Sequence, residues 1–140
     1  MSPAITPHAQ DINELPAKAS RYVDVEALPW QPTGFEGIDM KVLLQEEETG
    51  LLTALFRWAP GSVLPLHEHV EIEQTYVLEG SIVDVEGVAT KGNFSWRPKG
   101  NQHEARSPEG ALVLAMFLKP NKFLAGPKAG KDLLPEEQAG

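Results

Sequence analysis

One side of Leu51–Trp58 is apolar throughout and the other is mixed. Leu52, Ala54, Phe56 and Trp58 fall on one side of an extended chain, and Thr53, Leu55 and Arg57 on the other. A period of two predicts a strand with one buried face. Further short runs rich in β-formers lie at residues 21–25, 40–45, 74–79, 81–85, Val88–Thr90, 93–97, 103–106 and 111–118. The run 111–118 (ALVLAMFL) is apolar throughout and flanked by Pro108, Gly110 and Pro120. It predicts a strand buried on both faces, its outer side covered by a subunit partner or by the N-terminal arm. Turns are expected at the polar stretch 46–50, at 78–81 around Gly80, and at Glu86-Gly87. No heptad series or longer repeat is present, so helix should be scarce. The pattern predicts an all-β chain of many short strands. It divides into an extended arm at 1–20, a β-barrel body at 21–120 and a loose tail at 121–140, with one short turn at 132–134.

Composition narrows the chemistry. At 140 residues the chain is one domain in size, and its 12 Gly and 12 Pro suit a turn-rich sandwich or barrel. A net charge of −8 argues against nucleic acid or anionic lipid as partners. The absence of Cys removes disulfides, thiolate nucleophiles and iron–sulfur clusters. The first residues carry no basic start with an apolar run, and no stretch approaches about 18 apolar residues, so the expected location is the cytoplasm. P-loop, dinucleotide and G-x-S-x-G fingerprints are absent. Any metal must be held by imidazole and oxygen, and only four His are available.

Three of the four fall in two spaced segments. The first reads G-SVLPL-H-E-H-VEI-E-QTYVLE-G, with Gly61, His67, His69, Glu73 and Gly80. The second reads G-NFSWR-P-K-G-NQ-H, with Gly92, Pro98, Gly100 and His103. In an extended segment His67 and His69 point to the same side, so both imidazoles can reach one ion at about 2.0–2.2 Å. Glu73 can add a carboxylate oxygen as the chain re-enters a strand. His103 must come from another strand across the interior. His8 lies in the arm and has no expected role.

These nine positions resemble the paired motifs of the cupin superfamily (RmlC-like). That resemblance implies a double-stranded β-helix, a jelly-roll barrel of two antiparallel sheets. Ser107 stands where the second motif usually ends in Asn. The stretch RYVDVEALPW and the run HEHVEIEQTYVLEG are similar to the ChrR-like cupins, and through them to small dioxygenases that cleave β-diketones and hydroxyacetophenones. The resemblance implies one divalent metal ion per chain on His67, His69, Glu73 and His103, although some diketone-cleaving relatives use three His alone. Fe(II) is favoured by the open positions of such a site, with Zn, Ni or Mn as alternatives. Glu73 is the catalytic candidate. A homodimer is implied as well. The ChrR-like anti-sigma proteins carry a zinc-binding helical domain ahead of the cupin, which the short Cys-free arm does not supply.

Strand parity selects the pocket. Thr75 and Val77 share the side of Glu73, and Ala105 and Ser107 that of His103. Arg57 joins them if its face of Leu51–Trp58 lines the cavity, where it would bind a carboxylate or enolate. Glu68 and Arg106 turn away. The expected function is a mononuclear metal-dependent oxygenase acting on a small chelating diketone or hydroxyketone. The alternatives are a non-catalytic cupin that senses a metal or small molecule, and a metal-dependent isomerase or lyase.

Overall fold

The computed structural model describes residues 4–135. The outermost parts of the expected arm and tail, 1–3 and 136–140, lie outside the described residues. Five strands form the first half: β1 (Gln31–Pro32), β2 (Ile38–Glu46), β3 (Leu51–Trp58), β4 (Ser62–Glu68) and β5 (Glu73–Val83). Five more follow: β6 (Val88–Thr90), β7 (Phe94–Arg97), β8 (Gln102–Ser107), β9 (Ala111–Phe117) and β10 (Lys122–Phe123). The described helix is limited to a single turn, α1 (Gln10–Asn13), and a 3-10 turn at Val25–Ala27.

All pairings are antiparallel, in the order β1-β2-β3-β9-β5-β8-β4-β10, with β6 and β7 also on β5. The sheet curls into the barrel that the resemblance implies. Its two faces are joined by β5, whose first part pairs with β9 and β7 and whose last part, Ser81–Val83, pairs with β6. No break occurs at Gly80, where the sequence pattern predicts a turn. Gly80 has φ +73°, and a Cβ there would stand 1.9 Å from the Gly110 carbonyl oxygen. The register shifts between Val77 and Glu79. The glycine therefore marks a bulge where the strand crosses from one face to the other against the backbone of its neighbour.

Parity is realised where strands have partners. On β3, Leu52, Ala54, Phe56 and Trp58 are buried, and on β9, Ala111, Val113, Ala115 and Phe117. Phe56 and Phe117 meet edge-on at 6.1 Å, each large side chain contributing about 1.5–3 kcal/mol by burial. β9 is not buried on both faces as expected: Leu112, Leu114 and Met116 are half-buried, while β3 and β5 flank its two edges. The arm does not cover its outer side: Ile5 bridges Gln45, and the Thr6 hydroxyl donates to the Leu43 carbonyl at 2.7 Å, both on β2.

Residues 21–25 form no strand. Tyr22 is 85% exposed, and the Val25 carbonyl is taken by the Lys41 ammonium at 2.9 Å. Alternation without a neighbouring strand to pair with gives no ladder. The segment after Pro120 is not loose. Phe123 is fully buried, its ring 4.5 Å from Phe35 and 5.6 Å from His67. Leu133 and Asn121 are buried as well.

Candidate metal centre

The β4–β8 ladder carries the site. His67 and His103 are direct cross-strand partners, not residues meeting across the interior. The register shifts between Leu64 and His67, and this bulge contains Pro65, which has no N–H to give a ladder. The freed Pro65 carbonyl accepts from His67 Nδ1 at 2.8 Å. His69 follows two residues later, its backbone tied to Asn101 and Gly100. The three ring centroids lie 4.5–5.0 Å apart. Their ligand atoms lie within 4.8 Å of one another, close to the ~4.2 Å that two ligands of one ion can span.

Each imidazole is prepared as a neutral donor. His67 gives its Nδ1 proton to a carbonyl, which leaves the Nε2 lone pair free. His103 Nδ1 faces Asp84 Oδ2 at 2.7 Å, the carboxylate–histidine arrangement common behind metal ligands. Burial lowers the His67 pKa to about 4 and that of His69 to about 2. His103 is also lowered, by burial and by the charge of Arg97. His69 is fully buried; neither ring nitrogen makes a well-formed hydrogen bond, and its Nδ1 has only the Glu73 carboxylate, at 3.4 Å. A buried imidazole so weakly satisfied costs free energy unless something else takes a lone pair. A metal ion meets that need, and three neutral nitrogen donors suit a divalent transition metal.

Glu73 is not one of the three-residue cluster but borders it at His69. Its Oε1 accepts from the Thr75 hydroxyl at 2.8 Å. Its Oε2 lies 3.4 Å from both Asn121 Nδ2 and His69 Nδ1. Burial raises its pKa above the ordinary carboxylate range.

The remaining predicted pocket residues divide. Thr75 and Ala105 line a cavity of about 50 Å³ inside the barrel, together with His67, Glu73 and His103. Val77 and Ser107 are buried outside that lining, Ser107 donating to the Ser81 carbonyl at 2.7 Å. Arg57 is on the outer face. It pairs with Asp39 at 3.1 Å and lies against the Trp30 ring, because Phe56 and Trp58 take the inward side of β3.

Sequence reading missed Asp84, Arg97 and Asn121. The Asp84 Oδ1 atom caps its own turn, accepting from the Glu86 and Gly87 amides at 2.8 and 3.0 Å. Its Oδ2 takes His103 and an ion pair with Arg97 at 2.7 Å. Burial opposes the charge on Asp84, but these hydrogen bonds and Arg97 hold its pKa low. The D-V-E-G turn was visible in the sequence, while the second use of its Asp was not.

A family model described as the ChrR Cupin-like domain matches residues 18–122. No curated protein matches the chain. Among solved structures, a candidate acetylacetone dioxygenase of Methylibium petroleiphilum is 24% identical, covering 86% of this chain and 91% of its own, with a TM-score of 0.71. An acetylacetone dioxygenase of Acinetobacter johnsonii is 22% identical over 88% of this chain and 89% of its own, TM-score 0.70. The anti-sigma protein ChrR of Rhodobacter sphaeroides, solved in complex with SigE, is 21% identical over 66% of this chain and 51% of its own, TM-score 0.57. These likenesses extend to the cupin fold.

Proposed function

Because the chain belongs to the ChrR-like cupin family, we propose that it is a metal-dependent oxygenase for a small chelating diketone or hydroxyketone. His67, His69 and His103 hold its single divalent ion. The observation that carries the reading is the buried trio of neutral imidazoles, with His69 making no well-formed hydrogen bond on either nitrogen. A bound ion, Fe(II) by preference over Zn, Ni or Mn, supplies a Lewis acid for two substrate oxygens and access to oxygen chemistry.

The residues of the chain do the rest. Asp84 fixes the His103 tautomer. Phe56, Phe117 and Val113 in the cavity wall exclude water. Glu73 is the catalytic base, because burial moves its pKa toward the working range of a group that must take a proton from carbon. Thr75 donates to its Oε1, and Oε2, bordered at 3.4 Å by Asn121 and His69, is the oxygen that would take that proton. A homodimer would place a second copy on the outer face around Tyr76, Phe94 and Trp96, each at least 41% exposed, and light scattering on the purified protein reads its mass.

Fe(II)-loaded protein should consume O₂ only when acetylacetone or a hydroxyacetophenone is added. No uptake across a panel of such compounds, with metal fully bound, would refute the oxygenase. His103→Ala should lower bound metal per chain well below wild type, and equal content would refute the centre. The likeness to ChrR supports a second reading, a sensor that signals through a protein partner. A stable complex with a regulatory protein, without turnover, would favour it.

A further inference from the structure

One cation faces the cavity that holds the imidazoles. Phe94 and Trp96 turn the outer side of β7 to solvent, so Ser95 and Arg97 turn inward. Arg97 lines the cavity with His67, Glu73 and His103, and no other Arg or Lys is among its described lining residues. Its side chain is 16% exposed. The ion pairs of the guanidinium run through Nη1, 2.7 Å from Asp84 and 3.9 Å from Glu86. Nη2 and Nε form no hydrogen bond or ion pair among the described residues.

Arg97 also lines a second hollow, of about 230 Å³, with Asp84, Glu86, Val88, Asn93 and Phe94, and Ala89 and Ser95 border both spaces. It thus stands between the inner chamber and a larger space beside it. Asp84 anchors one edge of the guanidinium and leaves the rest of a rigid donor fork available, the geometry that matches a carboxylate. The charge balance points the same way. Three neutral imidazoles cancel none of the charge of a divalent ion, Asp84 cancels that of Arg97, and the Glu73 carboxylate leaves one positive charge of the ion unbalanced. An anionic ligand would be balanced in this chamber, and a neutral one would not.

We propose that Arg97 is the anion-binding group of the cavity, so that the ligand is a small oxo acid whose carboxylate meets the guanidinium. This rests on the metal-centre reading and departs from the diketone reading in one respect, that the chelating ligand carries a carboxylate.

Acetoacetate and acetylacetone test the assignment, since they are similar in size and differ in one carboxylate. Their binding is measured by calorimetry on the full chain, with and without Zn²⁺, and metal content is read on the same samples. Wild type is expected to favour acetoacetate by about tenfold, and Arg97→Met to cut that ratio at least about threefold. Arg97→Lys should keep the preference, and it decides the matter if Arg97→Met loses metal. Equal or opposite preference in wild type, a smaller cut, loss of the preference in Arg97→Lys, or no binding of acetoacetate overturns the assignment. Wild-type protein that takes up no metal would sink the metal centre, and the ratio without Zn²⁺ would still decide Arg97.

Discussion

Two of the three clustered imidazoles are held by a group behind them, His67 by the Pro65 carbonyl and His103 by Asp84. Asp84 is the clearest case, with one oxygen on its own turn and the other on His103 and Arg97. Asp84→Asn keeps the shape but removes the charge that orients His103. Metal affinity should fall about 10–100-fold, the usual cost of losing such a partner, with little change in the far-ultraviolet spectrum. Competition with a chromogenic chelator measures it. The lowered histidine pKa values have a second consequence. His67 takes a proton at about 4 and His69 at about 2 when folded, against 6.5 when unfolded. Below pH 6.5 the unfolded chain binds more protons than the folded one, so stability falls as pH drops, by about 1.4 kcal/mol per unit for each such group. For His67 the loss ends near pH 4. The raised pKa of Glu73 has the opposite sign, but one carboxyl works against three imidazoles. The melting temperature of metal-free protein should therefore decline from pH 7 to pH 5, and a flat profile would contradict the burial of the trio.

At the scale of elements, the long strand β5 decides the architecture. It belongs to both faces of the barrel, and Gly80 is the point where it changes partners. Gly80→Ala adds a Cβ that meets the Gly110 carbonyl at 1.9 Å and forces a side chain into positive φ. Those two effects together should cost at least about 2 kcal/mol, read as a lower urea midpoint. A glycine serving only as a hairpin turn would tolerate alanine better. The short β10 matters beyond its length, because Phe123 seals the barrel against His67 and Phe35. Phe123→Ala should cost about 3–5 kcal/mol, as for other buried aromatics. It should also weaken metal binding, since His67 loses a packed neighbour. Urea melts and chelator competition test both, and an unchanged urea midpoint would show that the segment after Pro120 is not part of the body.

For the whole molecule, the curled sheet brings strands far apart in sequence around one chamber. His67 and His103 are 36 positions apart and lie side by side in the ladder, while Asn121 reaches Glu73 from the far end of the chain. Much of this was legible beforehand. The apolar side of β3, the strand at β9, the turn at 46–50 and the spacing of the three histidines are local patterns, and strand periodicity acts on them directly. The same rule failed where a pattern had no neighbour, at 21–25, and where a glycine served a crossing rather than a turn. Which side of β3 faces inward could not be decided from alternation alone, so Arg57 remained a pocket candidate until the packing of Phe56 and Trp58 put it outside. Phe123 gave no periodic signal, being one aromatic in a run of Gly, Pro and Lys. By itself the sequence determined the strand periods and the set of imidazoles, because both depend on spacing along one stretch of chain. Only the tertiary structure decided that Asp84 supports His103, that Glu73 sits beside His69, and that Arg97 faces the chamber. Those contacts join strands through register and bulges, and a side chain's partner across a barrel is set by where the whole sheet closes.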